Sequence, residues 1–176
     1  MVIVAPHGGG IEPATSEIAV ALAGNEFSLY CFEGLRPANN ATLHITSIHF
    51  DEPLCAELIG HSRTAVTVHG CVGQTGAVRV GGLDLALGLR VIASLRAAGF
   101  DASEDRGDTA GRDPRNICNQ GRSGKGLQLE LDEGLRLKLF LGLTRSKRAV
   151  TRPGFRRFIA AVRKELLRVH AEGAPA

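Results

Sequence analysis

The apolar positions of this chain change their period several times, and each change marks an element. "VIVA" (2–5) is a fully apolar, β-branched run ending at Pro6, the pattern of a strand covered on both faces, and it predicts a polar loop at that strand's C-terminal end. In "EPATSEIAVALAG" the period lengthens to that of a helix, with Pro13 near the start and Gly24 just past the end. "FSLYCFEG" returns to a strand pattern. "ATLHITSIHF" predicts an extended or loop segment, and "DEPLCAELIG" a helix with Asp51 ahead of Pro53 and Gly60 at its close.

Further on, "TAVTVHG" (64–70) alternates, with Val66 and Val68 on one face and Thr67 and His69 on the other. "GGLDLALGLRVIASLRAAGF" predicts a helix ending at Gly99, followed by a short strand in "FDAS". Residues 104–126 form a long loop dense in Gly, Arg, Asp and Asn, and loops of that length are expected to be functional or disordered. "LQLELD" (127–132) is a strand with Leu127, Leu129 and Leu131 opposite Gln128 and Glu130. Towards the C-terminus, Phe155, Phe158, Ile159, Val162, Leu166 and Val169 recur at helical spacing, leaving Arg156, Arg157, Arg163 and Lys164 mostly on other faces. No repeat or linker divides the chain, so residues 1–176 are expected to form one domain. Strands alternating with helices predict an α/β fold, an open, twisted, mostly parallel or mixed sheet flanked by helices, with ligands beyond the strands' C-terminal ends.

Composition narrows the function. Aromatics make up only 5% of residues, with no Trp, which leaves few stacking platforms for bases and argues against nucleic acid. No apolar run is long enough for a membrane span and no signal-peptide pattern opens the chain, so a cytoplasmic protein is expected. Cys31, Cys55, Cys71 and Cys118 are scattered without a C-x-x-C pair and are expected to be reduced core thiols. Charge is lopsided: residues 1–60 hold one Arg against seven acids, whereas 61–176 hold 20 Lys and Arg against 11 acids. A basic surface of that kind suits an anionic partner.

Polar residues gather where strands end: His7 after the first, His69 at the end of "TAVTVH" and Glu130 near the end of "LQLEL", with Glu12 at a helix start close to His7. Two imidazoles and a carboxylate are the ligand set of catalytic zinc sites, and a second, unligated Glu would serve as base. The glycines between His7 and Glu12 let the backbone turn tightly, so that the two side chains can converge. Two other readings fail on the residues. An H-G-G-G oxyanion loop needs a G-x-S-x-G elbow, which the chain lacks, and "NQGRSGKG" departs from a phosphate loop at Asn119 and Gly126.

"HGGGIEPATSEIA", "LHITSIHFDEP", "TVHG", "GGLD" and "NICNQGRSGKGLQLEL" occur in this order and resemble the poly-γ-glutamate hydrolase family, first known from phage depolymerases and similar in fold to zinc carboxypeptidases. The resemblance runs from residue 3 to about 136. It implies a zinc amidohydrolase that cuts γ-glutamyl linkages in an anionic polymer or a small acidic amide. Zn2+ would be held by His7, Glu12 and His69, with Glu130 as general base. His44, His49, Arg115, Asn116, Asn119 and Arg122 become candidates to hold substrate carboxylates. A monomer is expected, released if at all by cell lysis. The resemblance also implies a further N-terminal segment and strand ahead of the first motif, so the chain as given would lack an edge strand or start late. Two alternatives stay open: a zinc carboxypeptidase-like enzyme acting on another peptide or amide, and a non-catalytic polyanion-binding module whose affinity falls with salt and ignores chelators.

Overall fold

In the computed structural model, which describes residues 1–172, six strands form one mixed sheet. They are β1 (Val2–Gly9), β2 (Ser28–Gly34), β3 (Ala65–Cys71), β4 (Ala77–Gly81), β5 (Asp101–Glu104) and β6 (Leu127–Asp132). Their order across the sheet is β2-β1-β3-β6-β4-β5. The β2, β1, β3 and β6 strands run parallel, whereas β4 is antiparallel to β6 and carries β5 alongside it in its own direction. Helices α1 (Thr15–Ala23), α2 (Pro53–His61), α3 (Leu85–Ala97), α4 (Glu133–Leu139) and α5 (Pro153–Glu172) flank the sheet. Among the described residues, no helix is long and apolar enough to cross a membrane.

Alternation along the strands divides two cores. Ile3, Ala5, Val66, Val68, Leu127, Leu129 and Leu131 face the larger one, where α1, α3, α4 and α5 pack. Val2, Val4 and Ala65 face the smaller one with Phe50, Ile117 and the α2 residues Cys55 and Ile59. Thr67, His69, Gln128 and Glu130 share that second face by the same period of two, and the site is built there.

The first strand is longer than its apolar run. It continues through Pro6 and His7 to Gly9, with a one-residue register shift against β2 between Ala5 and Gly8. Pro6 has no N–H to contribute and is accommodated at this bulge. The extra residue also reverses the alternation, so His7 turns to the side of His69, away from the core that holds Ile3 and Ala5. Gly9 sits at φ +65, and a Cβ there would lie 2.6 Å from the Gly34 carbonyl oxygen, so the glycine run is required by backbone conformation and close packing.

Two elements were not anticipated. "AVRVG" is strand β4, with Val78 and Val80 buried, and the following helix starts only at Leu85, capped by Asp84, whose carboxylate accepts from Leu87 N–H. Likewise Asp132 caps α4 by accepting from Leu135 N–H. The basic C-terminal helix packs as its spacing predicts, with Phe158, Val162 and Leu166 buried against α3, α1 and α4.

Candidate metal centre

At the C-terminal ends of β1, β3 and β6, three side chains bring one donor atom each within 4.8 Å of the others: His7, Glu12 and His69. Glu12 reaches this point because its N–H bonds back to the His7 carbonyl at 2.8 Å, folding the intervening glycines into a turn. Helix α1 starts at Thr15, three residues later than the position expected for Glu12 at a helix start. The N-terminal helix dipole therefore does not orient this carboxylate. Its neighbours do: the Gly70 N–H donates to Oε2 at 2.8 Å, and His7 Nδ1 lies 2.9 Å from Oε1.

The outer nitrogens of both imidazoles are engaged. His7 Nε2 is 2.7 Å from the Ile45 carbonyl, which can only accept, so that nitrogen carries a proton, and Nδ1 presents a lone pair when the ring is neutral or donates to Glu12 when it is charged. His69 Nε2 lies 3.4 Å from Ser47 Oγ. The Nδ1 atoms of the two rings are 3.1 Å apart, with Glu12 Oε2 3.6 Å from that of His69. Lone pairs of this kind repel at such distances unless a proton or a cation lies among them, and partners on the outer nitrogens are the usual support of a metal-bound imidazole. The donor set therefore fits a metal ion.

The electrostatics agree. Burial acts to raise the Glu12 carboxyl, but the hydrogen bonds and charges of His69 and His7 outweigh it and hold it well below the usual carboxylate range. For His69, burial acts downward, while the hydrogen bond to Glu12 and the charges of Glu130 and Glu12 carry it up. Glu130 differs: burial first, then the charges of Glu12 and Asp105, raise it despite His69 and a hydrogen bond from Gln128. That bond, from Gln128 Nε2 to Oε1, is 2.9 Å long. Glu130 sits directly opposite His69 in the β3–β6 ladder.

All four residues line a cleft with about 370 Å³ of space. His44 and Asn116 line it too. The His44 ring stacks 3.9 Å from His7, and its Nε2 is 3.4 Å from Glu12 Oε1. Burial and then the charge of His7 lower its basicity. Asn116 is buried, with Oδ1 accepting from Cys118 N–H and Nδ2 donating to Gln128 Oε1, which leaves one amide N–H.

Other candidates lie elsewhere. Arg115 is exposed beside the cleft and forks onto Asp113, with contacts of 3.1 and 2.7 Å. His49 is exposed and does not line the cleft. Arg122 lines a separate cavity with Met1, Arg63 and His170, where β1 begins, because its loop is pinned by N–H bonds from Arg122 and Ser123 to the carbonyls of Ser62 and Arg63. Asn119 is buried outside the cleft: Oδ1 accepts from Leu83 and Gly126 N–H, and Nδ2 donates to the Gly111 and Asp113 carbonyls. No part of that amide is left for a ligand, and the network shows residues 104–126 to be an ordered loop. Asn119→Ala orphans these buried groups and is expected to cost about 2–4 kcal/mol of stability in urea unfolding; a loss below ~0.5 kcal/mol would mean the loop is held by other contacts.

Cys71 also departs from expectation. Cys55 and Cys118 are buried thiols pushed up to about 12, as core cysteines should be, but half-buried Cys71 lines the cleft. Sequence reasoning passed over Arg112, Ser47 and Gln128, all of which line the cleft. Gln128 alone carried a signal, since it shares a strand face with Glu130.

Comparison with known proteins adds a further finding. The poly-gamma-glutamate hydrolase family model matches residues 1–161. UPF0714 protein YndL of Bacillus subtilis (strain 168) is 40% identical over 153 residues, which is 86% of this chain but only 60% of the length of that relative. A solved structure of bacteriophage poly-gamma-glutamate hydrolase superposes with a TM-score of 0.93 at 31% identity, covering 97% of this chain and 84% of that one. An apo, zinc-free structure of YndL does so with a TM-score of 0.91 at 35% identity, covering 96% and 85%.

Proposed function

Because the chain belongs to the poly-gamma-glutamate hydrolase family, we propose that it is a zinc-dependent hydrolase cutting γ-glutamyl amide bonds in poly-γ-glutamate or a related acidic substrate. The observation that carries this reading is the convergence of His7, Glu12 and His69 on one point of a cleft that also holds the buried Glu130, whose carboxyl that burial raises. Support for zinc comes from that donor set and from the relative YndL, whose apo structure is described as zinc-free.

His7, His69 and Glu12 would hold the ion. Bound there, zinc supplies Lewis acidity, activating a water and polarising the amide carbonyl. Glu130 takes the proton of the attacking water and delivers it to the leaving nitrogen; its raised pKa brings it closer to neutrality, where a group can do both. Gln128 anchors Oε1 of this carboxylate and leaves the exchange to Oε2. The remaining Asn116 N–H is assigned to the developing oxyanion. His44 and Arg112, both in the wall of the cleft, are assigned to substrate carboxylates; Arg112 is already paired with Glu104 and would turn from it to do so, as Arg115 would from Asp113.

Protein stripped with a chelator is expected to stop shortening poly-γ-glutamate, as read by size-exclusion chromatography, and one equivalent of zinc should restore it. Undiminished cleavage in chelator, or polymer that is bound in a salt-sensitive manner but never cut, would overturn the proposal.

A further inference from the structure

The side chain of Arg136 enters none of the steps above, yet it is buried directly beneath the cluster. It leaves α4, whose start is fixed by the Asp132 cap, and points back across the ends of β1 and β3. Nη1 donates to the Pro13 carbonyl at 2.8 Å, one residue beyond Glu12, and Nη2 donates to the Cys71 carbonyl at 2.9 Å, two residues beyond His69. We infer that Arg136 is a positioning residue of the metal centre: its guanidinium ties the turn carrying Glu12 to the strand end carrying His69 and so sets the spacing of these two donors. This rests on reading the cluster as a metal site.

Three further features belong to the same arrangement. Gly70, whose N–H holds Glu12 Oε2, lies against the guanidinium so closely that a Cβ would be 2.8 Å from Cζ. Side chain, glycine amide and carboxylate thus form one packed stack. Ala14, next to the anchored Pro13, is held at φ +83, a backbone state that non-glycine residues keep only where their surroundings impose it. Finally, Arg136 Nε is buried without a hydrogen-bond partner, and no carboxylate lies within ion-pair distance of the guanidinium among the described residues. A buried guanidinium left in that state opposes folding, so a residue serving stability alone would be better apolar. What the guanidinium provides is two diverging N–H donors in a rigid fork, which neither an apolar side chain nor the point charge of a lysine reproduces.

The test is zinc affinity, measured by competition with a chromophoric chelator on wild type, Arg136→Lys and Arg136→Met, with folding followed by circular dichroism. Wild type should bind one zinc, and Arg136→Lys should bind it about ten- to a hundredfold more weakly, the usual effect of disturbing a partner behind the ligands. At saturating zinc, Arg136→Lys should recover most of kcat with KM little changed. Variants that lose stability while their folded molecules keep wild-type zinc affinity would overturn the inference and leave Arg136 a plain cross-link. If Arg136→Met fails to fold, Gly70→Ala, which crowds the guanidinium without changing any charge, should weaken zinc in the same direction. A wild type that takes up no zinc would sink the metal reading instead. Arg136 would then be judged by the imidazole resonances of His7 and His69, which must shift in Arg136→Lys if it sets their spacing to Glu12 and stay in place if it does not.

Discussion

Glu130→Gln is expected to lower kcat on a γ-glutamyl amide by about a hundred- to ten-thousandfold, with zinc still bound at one equivalent. The substitution keeps the shape and can keep the bond from Gln128, since the new amide oxygen can accept where Oε1 did. What it removes is the capacity to take a proton. The stability of the zinc-free protein should move the other way. Burial raises the Glu130 carboxyl in the folded chain, so its ionised form opposes folding: wild type is most favoured where Glu130 is protonated, and that advantage is lost as pH rises from the ordinary carboxylate range through the raised folded value. The neutral amide has no such loss, and at pH 7 the variant should melt no lower than wild type. Zinc content by elemental analysis, turnover and a melting curve decide the matter together. A variant with zinc bound and kcat within tenfold of wild type would show that proton transfer belongs elsewhere, with His44 the next group in the cleft to test.

The β3 and β6 alternation was legible in the sequence, and it placed His69 and Glu130 on one face because a period of two is local and needs no knowledge of neighbours. Helix ends marked by Gly24 and Pro53 were legible for the same reason. Three things were not. The antiparallel insertion of β4 between β6 and β5 is a matter of spatial order, which local pattern does not encode, and its V-R-V alternation is too short to have drawn an assignment of its own. The face taken by His7 depends on a bulge visible only against β2. Whether an Arg or Asn in the 104–126 loop faces a ligand or its own loop depends on which hydrogen bonds the folded chain has already used. Asn119 and Asn116 are three residues apart, similar in sequence setting, and differ in this respect. Arg136 was hidden in the same way, since its two partners are 123 and 65 positions away in sequence.

His69→Ala is expected to abolish both zinc binding and turnover, and it tests the site at its root. Removing it leaves His7 and Glu12, a two-donor remnant on one turn, and takes away the donor that β3 contributes, leaving the Gly70 N–H bond to Glu12 to tie that turn to the strand. Loss of affinity should far exceed the roughly hundredfold typical of a partner behind the ligands, so protein purified without added metal should carry one zinc in wild type and almost none in the variant. The consequence for stability follows from linkage, because an ion that binds only the folded chain stabilises it by RT ln(1 + L/Kd), where L is the free ion concentration. Added zinc should therefore raise the melting temperature of stripped wild type by several degrees and leave His69→Ala unmoved. The variant should also melt below stripped wild type, because Glu12 stays buried after losing a partner whose proton and hydrogen bond held its charge. Glu130→Gln and His69→Ala are thus both predicted to be severely impaired in turnover and opposite in every measurement of metal, and that contrast separates the base from the ligands in a way that activity alone cannot. If both variants kept zinc, the ion would have to be held elsewhere, and the His7, Glu12 and His69 cluster would be a proton-sharing network within the sheet.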